Sequence, residues 1–287
     1  MITLDITPEE IRNRIMTPEH LQAAVGALRR DGFVVLNHII ETAHLERLRE
    51  RMLADVEAIL AREDAPFNFN TGNLQQDPPP FAPYLFHDVL LNDMVFAVTK
   101  AILGRGVKNS YYSGNTNLPG SSEQPVHVDL GQLWPDLEVA PPAYALVVNV
   151  PVVDMDAENG STELWPGTHL DTTLCVQQMR EDKDIIVPEA LLEQRRKIAP
   201  PLQPSVGCGG ALIRDVRLWH RGMPNRTRQP RPMIAMIHYC SWWHADPIPF
   251  PKGTEAFFKD SDLATNAVFV AGPIDYIHHN RAYDFQR

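Results

Sequence analysis

Pro125-Val126-His127-Val128-Asp129 is the stretch around which the rest of the chain is organised. Side chains alternate between the two faces of a β-strand, so His127 and Asp129 project together while the two valines project to the opposite face. A histidine and a carboxylate on one strand face supply two ligands of a two-histidine, one-carboxylate metal set. The third ligand of such a set comes from a separate strand, and the candidate is His220 in Leu218-Trp219-His220-Arg221-Gly222.

The His-x-Asp pair alone is a weak signal, because it also occurs by chance in chains that bind no metal. Most of the 11 histidines lie in helical or loop contexts where a surface or hydrogen-bonding role is expected, among them His20, His38, His44, His87, His278 and His279. Two imidazoles and one carboxylate suit Fe(II), and three protein ligands leave three positions open for a co-substrate and dioxygen. The pair therefore needs support from the rest of the chain.

Composition indicates which partners and which cellular compartment to expect. The net charge of −10 argues against nucleic acid, since phosphate backbones require clustered Lys and Arg. The three cysteines (Cys175, Cys208 and Cys240) are an odd number without metal-type pairing, which favours a reducing compartment over a disulfide framework. The N-terminus lacks a secretory pattern, and no run approaches the ~18 apolar residues of a membrane span. We expect a soluble cytoplasmic protein.

The first part of the chain carries helix signals. Thr7-Pro8-Glu9-Glu10 predicts a capping box, and Thr17-Pro18 opens a second helix that Asp31-Gly32 ends. The apolar run Phe33–Leu36 predicts a strand, and an apolar stripe predicts a long helix to about residue 61. Another short helix is predicted over about 93–103.

Beyond residue 108, strands alternate with Gly, Pro and Asn turns. Strands are predicted near 109–116, 125–130, 143–152, 162–165, 205–213 and 233–241, and a polar helix is predicted within 178–200. Helices followed by strands predict an α+β protein with a double-sheet jelly roll core and N-terminal helices packed against one sheet. We expect a single domain over 1–287, with a helical part over about 1–105, the jelly roll over about 106–245 and a C-terminal extension over 246–287.

The segment from Asp64 to Pro83 is rich in Asn, Gln, Pro and Phe and predicts a long loop. A loop of this length in a compact domain is either a functional lid or a solvated connector, and the sequence leaves both open. Phe67 and Phe69 favour an ordered wall near a pocket.

Four arginines follow the candidate third ligand: Arg221, Arg226, Arg228 and Arg231. Arg226 and Arg228 lie in a polar turn and are expected to be solvated. Arg231 lies eleven residues after His220, at the start of the predicted strand that contains Met233–Ile237. A buried arginine there needs an anion, and a dicarboxylate co-substrate supplies one through a two-pronged pairing. Composition alone does not select among the four.

The ordered set of motifs resembles the phytanoyl-CoA dioxygenase family of iron(II)- and 2-oxoglutarate-dependent oxygenases. The set comprises Asp31–Leu36, His127-x-Asp129, Asn159-Gly160-Ser161 with Pro166-Gly167-Thr168-His169, and His220 followed by Arg231. The resemblance implies a double-stranded β-helix with Fe(II) held by His127, Asp129 and His220. It also implies that Arg231 pairs with the distal carboxylate of 2-oxoglutarate, that O2 is the oxidant, and that Asn117 is a further candidate for bonding the co-substrate.

Within the resemblance, some positions depart from the family pattern. Gly222 stands where several members carry Ser or Thr, so a co-substrate contact from that place is lost. His169 belongs to a family turn and is expected to be structural. Asp129 is the carboxylate that halogenating relatives lack, which favours hydroxylation or oxidation. Gln132 and Trp134 follow the metal strand and are candidates for substrate contacts, although Trp134 packing under its loop is an equal alternative.

These features predict an oxygenase that hydroxylates or oxidises a small polar secondary metabolite and releases succinate and carbon dioxide. Stretches such as Tyr112–Gly120 resemble antibiotic-biosynthesis members, which suggests an aminoglycoside-like substrate. A fatty acyl-CoA is disfavoured because no basic cluster suited to the CoA phosphates is present. The alternatives are desaturation, epimerisation or cyclisation at the same iron site, or a non-catalytic jelly roll that binds a metal or ligand.

Overall fold

The computed structural model describes residues 2–69, 72–175 and 186–282. Over these ranges the helices are α1 (Pro8–Asn13), α2 (Pro18–Asp31), α3 (Thr42–Leu60), α4 (His87–Leu90), α5 (Asp93–Leu103) and α6 (Glu189–Ile198). Each falls short of the length or the apolar character that a membrane crossing requires, within the described residues. The predicted helices of the first hundred residues are confirmed.

A large mixed sheet forms the frame of the molecule. Its members are β1 (Thr3–Asp5), β2 (Phe33–Asn37), β3 (Asn73–Gln75), β4 (Lys108–Asn117), β5 (Ala145–Pro151), β7 (Ala211–Asp215), β9 (Arg231–Tyr239) and β11 (Ala264–Thr265). The strand order is β1-β2-β7-β5-β9-β4-β11, and β3 pairs with β4. Further along the chain, β10 (Ile248–Pro251) and β12 (Ala267–Val270) form a separate parallel pair.

A smaller second sheet is built from very short segments. The strands β6 (Glu163–Leu164) and β8 (His220–Arg221) pair antiparallel, so that Leu164 lies opposite His220. Single bridges extend this ladder on both sides: His127 pairs with His220 and with Ile186, and Leu164 pairs with Leu202. The order across the ladder is therefore Ile186, His127, β8, β6 and Leu202.

The core follows the alternation of the main sheet. Val34, Val148 and Ile213 face α2, α3 and α5 in one apolar cluster. The intervening residues Val35 and Leu212 face the second sheet in another cluster. Two facing sheets with helices on the outer side of one sheet confirm the predicted α+β jelly roll.

Three predicted elements differ from the structure. The strand expected over 125–130 is reduced to isolated bridges at His127. The strand expected over 205–213 begins at Ala211, because the Gly207–Gly210 segment forms a turn whose Gly210 N–H donates to the carbonyl of Gly207. The helix expected within 178–200 covers Glu189–Ile198, and residues 176–185 lie outside the described part of the chain.

The capping box at the start of α1 is confirmed and extends into a buried cluster. Glu10 is 3% exposed and accepts hydrogen bonds from the backbone N–H of Thr7 at 2.9 Å and of Thr17 at 2.8 Å, and its carboxylate lies 2.9 Å from Nδ1 of His20. Burial acts to raise the pKa of Glu10, but the donors of Thr17 and Thr7 outweigh it and lower the pKa to about 2. The ionised carboxylate therefore stabilises the junction of α1 and α2.

We expect Glu10→Gln to lower the free energy of unfolding by about 1–3 kcal/mol at pH 7. Because the pKa of Glu10 falls from 4.5 to about 2 on folding, this stability is present above pH 4.5 and is lost as the pH falls towards 2. Urea denaturation at pH 7, 4 and 2.5 measures the effect. Glu9→Gln, at an exposed neighbouring position, is the control; a constant difference between wild type and the Glu10 variant at all three pH values would contradict the assignment.

Candidate metal centre

His127, Asp129 and His220 meet inside the jelly roll. Their candidate ligand atoms all lie within 4.8 Å of one another. Backbone pairing brings the histidines together, since the N–H of each donates to the carbonyl of the other at 2.9 Å. The two imidazole centroids are 4.4 Å apart. The three side chains line a cavity of about 230 Å³ between the two sheets.

Both imidazoles are held in one orientation by backbone carbonyls. Nδ1 of His127 lies 2.9 Å from the carbonyl oxygen of Pro125, and Nδ1 of His220 lies 2.9 Å from that of Leu218. Because a carbonyl only accepts, each Nδ1 carries the proton and each Nε2 presents a lone pair. Burial, followed by the nearby His220, lowers the pKa of His127 to about 3, so that this ring is neutral as metal ligation requires.

The carboxylate of Asp129 completes the set. Its Oδ1 lies 3.4 Å from Nε2 of His220, and its Oδ2 lies 2.7 Å from Nη1 of Arg214. Burial acts to raise the pKa of Asp129, but the charge of Arg214 is the largest influence that lowers it, and the pKa lies well below its usual range. Two lone pairs on nitrogen and one ionised carboxylate therefore fit a divalent cation of the iron type.

Arg231 enters the same cavity from the start of β9. It is 3% exposed, and its guanidinium donates to backbone oxygens of Asn159 at 3.4 Å and Gly160 at 2.9 Å and to Oδ1 of Asn115 at 3.3 Å. Among the described residues no carboxylate forms an ion pair with it, and burial lowers its pKa to about 10. A buried cation with neutral partners alone is costly, so the site suits an anion.

The segment before β3 walls the cavity. The ring of Phe69 lies 4.6 Å from that of His127, and Asn68 and Asn73 line the cavity beside it. Arg226 and Arg228 are exposed, as the polar turn predicts. The remaining lining residues are mostly amides, hydroxyls and small apolar groups, including Tyr111, Asn115, Gln124, Val147, Asn149, Thr162, Met233, Ala235 and Ile237.

Gly222 lies at the cavity edge, where a larger residue would require the amides of Gln124 and Asn73 to move. A Cβ there would lie 2.7 Å from Oε1 of Gln124 and 2.9 Å from Nδ2 of Asn73. Oε1 of Gln124 accepts the N–H of Gly222 at 2.7 Å. The two amides therefore occupy the space beside Gly222.

The other sequence candidates lie outside the set of cavity-lining residues. The amide of Asn117 donates to the carbonyl of Met223 at 2.9 Å. Gln132 is buried and donates to the carbonyl of Asp171 at 2.7 Å, and Trp134 is 51% exposed. Neither Asn117, Gln132 nor Trp134 contributes to the described lining of the cavity.

His169 is a buried packing residue. It is 3% exposed, and a Cβ on Gly32 would lie 2.6 Å from its Nδ1. The missing side chain of Gly32 therefore leaves room for the imidazole, in accord with the structural role expected for the histidine.

Sequence reasoning missed Arg214 and Asn149, which both line the cavity. A signal for Arg214 was available. Arg214 lies two residues after Leu212 in an apolar strand, so both side chains project to the same face. A charged side chain on the buried face of a strand is expected only where it can pair with another group.

Comparison with known proteins shows to which family the chain is similar. A model of the phytanoyl-CoA dioxygenase family matches residues 28–233, well over half of the chain. Dioxygenase af480 of Aspergillus fumigatus is 26% identical over 228 residues, which cover 77% of this chain and 67% of that protein.

Two solved structures share the fold. AviO1 from Streptomyces viridochromogenes superimposes with a TM-score of 0.58 at 21% identity, covering 81% of this chain and all of AviO1. The non-heme alpha ketoglutarate dependent epimerase SnoN from nogalamycin biosynthesis superimposes with a TM-score of 0.56 at 16% identity, covering 78% of this chain and 82% of SnoN. The extent of the family match shows that this chain belongs to the phytanoyl-CoA dioxygenase family.

Proposed function

We propose that the protein is an Fe(II)- and 2-oxoglutarate-dependent dioxygenase that hydroxylates or otherwise oxidises a small polar metabolite. One observation carries the proposal: a two-histidine, one-carboxylate set lines the same cavity as a buried arginine that has no carboxylate partner among the described residues. The pairing of metal ligands with an anion anchor is what a chelating dicarboxylate co-substrate needs. The structure of SnoN with Fe3+ and alpha ketoglutarate, which shares the fold, supports it.

Each residue has a role in this reaction. Nε2 of His127, Nε2 of His220 and the carboxylate of Asp129 would hold Fe(II), and Arg231 would bind the distal carboxylate of 2-oxoglutarate. Iron with 2-oxoglutarate supplies, from dioxygen, an oxidant that removes hydrogen from a substrate C–H bond and leaves succinate and carbon dioxide. Phe69 covers His127 and limits the access of water to the site.

The cavity supports a small polar substrate. Its lining is rich in amides and hydroxyls. Such groups orient a hydroxylated or amine-bearing molecule by hydrogen bonds. An aminoglycoside-like compound therefore stays within the proposal, together with the cytoplasmic location that the three free cysteines favour.

Other oxidative outcomes use the same residues. Desaturation, epimerisation and cyclisation differ from hydroxylation in how the substrate lies against the metal, and SnoN is an epimerase of this fold. Mass spectrometry of the product separates them, because hydroxylation adds one oxygen, desaturation and cyclisation remove two hydrogens, and epimerisation leaves the mass unchanged. A non-catalytic metal or ligand carrier would release no succinate with any substrate.

We expect His220→Ala to reduce succinate release by more than the about 100-fold loss typical when an outer partner of a metal ligand is removed. The assay contains Fe(II), ascorbate and 2-oxoglutarate in air, with a panel of polar metabolites. His244→Ala, at an exposed position, is the control and should keep the wild-type rate. Equal succinate release by the two variants would exclude His220 as a ligand.

We expect Arg231→Leu to raise the dissociation constant for 2-oxoglutarate by about 100-fold, because a buried charge-assisted pairing is lost. Metal affinity should stay within a few-fold of wild type, since Arg231 is not in the ligand set. Titration calorimetry with Co(II) as an inert metal measures both constants. Arg228→Leu, in the exposed turn, is the control; unchanged co-substrate affinity in the Arg231 variant would show that another group binds the distal carboxylate.

A further inference from the structure

Arg214 is a second buried arginine in the cavity. It lies on β7 at a position that alternation turns towards the second sheet, two residues after Leu212 in the apolar cluster between the sheets. Only 5% of its surface is exposed. Across the neighbouring strand β5, its backbone lies opposite Val147. A guanidinium at the centre of a jelly roll requires a specific electrostatic partner.

That partner is the metal-ligating carboxylate. Nη1 of Arg214 lies 2.7 Å from Oδ2 of Asp129, and Nε donates to Oδ1 of Asn149 at 3.3 Å. Among the described residues that line the cavity, Asp129 is the only carboxylate. Asn149, on β5, thus holds the guanidinium through a second nitrogen.

The two oxygens of Asp129 therefore have different surroundings. Oδ1 lies 3.4 Å from Nε2 of His220, on the side of the other ligand atoms. Oδ2 forms an ion pair with Nη1 of Arg214, at a distance of 2.7 Å but without the angles of a hydrogen bond. A free carboxylate can bind a metal through one oxygen or both, and a cation on one oxygen lowers the electron density that this oxygen can offer.

Building on the proposed function, we propose that Arg214 is a positioning residue that reserves Oδ2 of Asp129, so that the carboxylate binds the metal through Oδ1 alone. Three protein donors then leave three coordination positions, two for the chelating 2-oxoglutarate and one for dioxygen. A second carboxylate oxygen on the metal would take one of these positions. Arg214 would in this way determine how many coordination positions of the metal stay free for 2-oxoglutarate and dioxygen.

The two buried arginines thus have separate tasks. Arg231 has neutral partners among the described residues and remains available to an anion, whereas Arg214 is already paired within the protein. Arg231 cannot take the role of Arg214, because its hydrogen bonds among the described residues are to Asn115, Asn159 and Gly160 and not to a metal ligand.

The experiment compares wild type with Arg214→Met, each loaded with Co(II). Crystal structures give the two distances from Co(II) to the oxygens of Asp129, and titration calorimetry gives the dissociation constant for 2-oxoglutarate. We expect one short distance in wild type and two in the variant. The dissociation constant should rise about 10-fold or more, because the co-substrate must displace an oxygen of Asp129.

Arg217→Met is the matched control. Arg217 is also buried, two residues beyond the end of β7, and pairs at 2.8 Å with Asp215, a carboxylate outside the ligand set. Its loss should lower the melting temperature as the loss of Arg214 does, but should leave the Asp129 geometry and the 2-oxoglutarate affinity as in wild type. Arg214→Lys keeps the buried charge without the planar fork, so it carries the test if the Met variant does not fold. We expect its dissociation constant to lie between those of wild type and Arg214→Met.

A single short oxygen distance together with unchanged 2-oxoglutarate affinity in the Arg214 variants would overturn the proposal. So would loss of Co(II) binding in a folded variant, because Arg214 would then be needed for ligation itself. Failure of wild type to bind Co(II) or 2-oxoglutarate would instead reject the proposed function, which separates the two results.

Discussion

The site depends on one backbone pairing, the antiparallel bridge between His127 and His220. The sequence separates these residues by more than ninety positions, and two hydrogen bonds of 2.9 Å hold them side by side. Because the bridge fixes both backbones, the carbonyls of Pro125 and Leu218 can in turn fix both imidazole rings. Ligand geometry is thus a consequence of strand register, and few ligand degrees of freedom remain to be ordered when a metal binds.

The same bridge is supported from behind. Val126 and Val128, which alternate with the ligands, pack with Trp165 and Trp219 in an apolar cluster on the outer face of the second sheet. A sheet made of single bridges has few hydrogen bonds of its own, so this packing is what stabilises its register. This packing therefore supports the backbone of His127 and Asp129, although the segment that carries them forms only isolated bridges among the described residues.

The two charged groups Asp129 and Arg231 have different surroundings inside the cavity. Asp129 has a cation beside it, whereas Arg231 is surrounded by neutral acceptors among the described residues. Burial makes both arrangements consequential, because an unpaired charge in a low-dielectric interior is expensive. The cavity thus has one carboxylate that is already paired and one guanidinium that can still bind an anion. The metal ligands and the anion-binding group therefore lie at different places in the cavity.

Local sequence determined much of this protein: the helix caps, the apolar runs of the strands, the His-x-Asp alternation and the candidacy of His220 are all features of neighbouring residues. Tertiary structure alone decided that Arg214 faces Asp129, that Gln124 and Asn73 crowd Gly222, and that Asn117, Gln132 and Trp134 lie outside the cavity lining. The reason is physical. Periodicity fixes which face of an element a side chain occupies, but a pair such as Arg214 and Asp129 forms across two sheets, where only long-range register and packing set the distance.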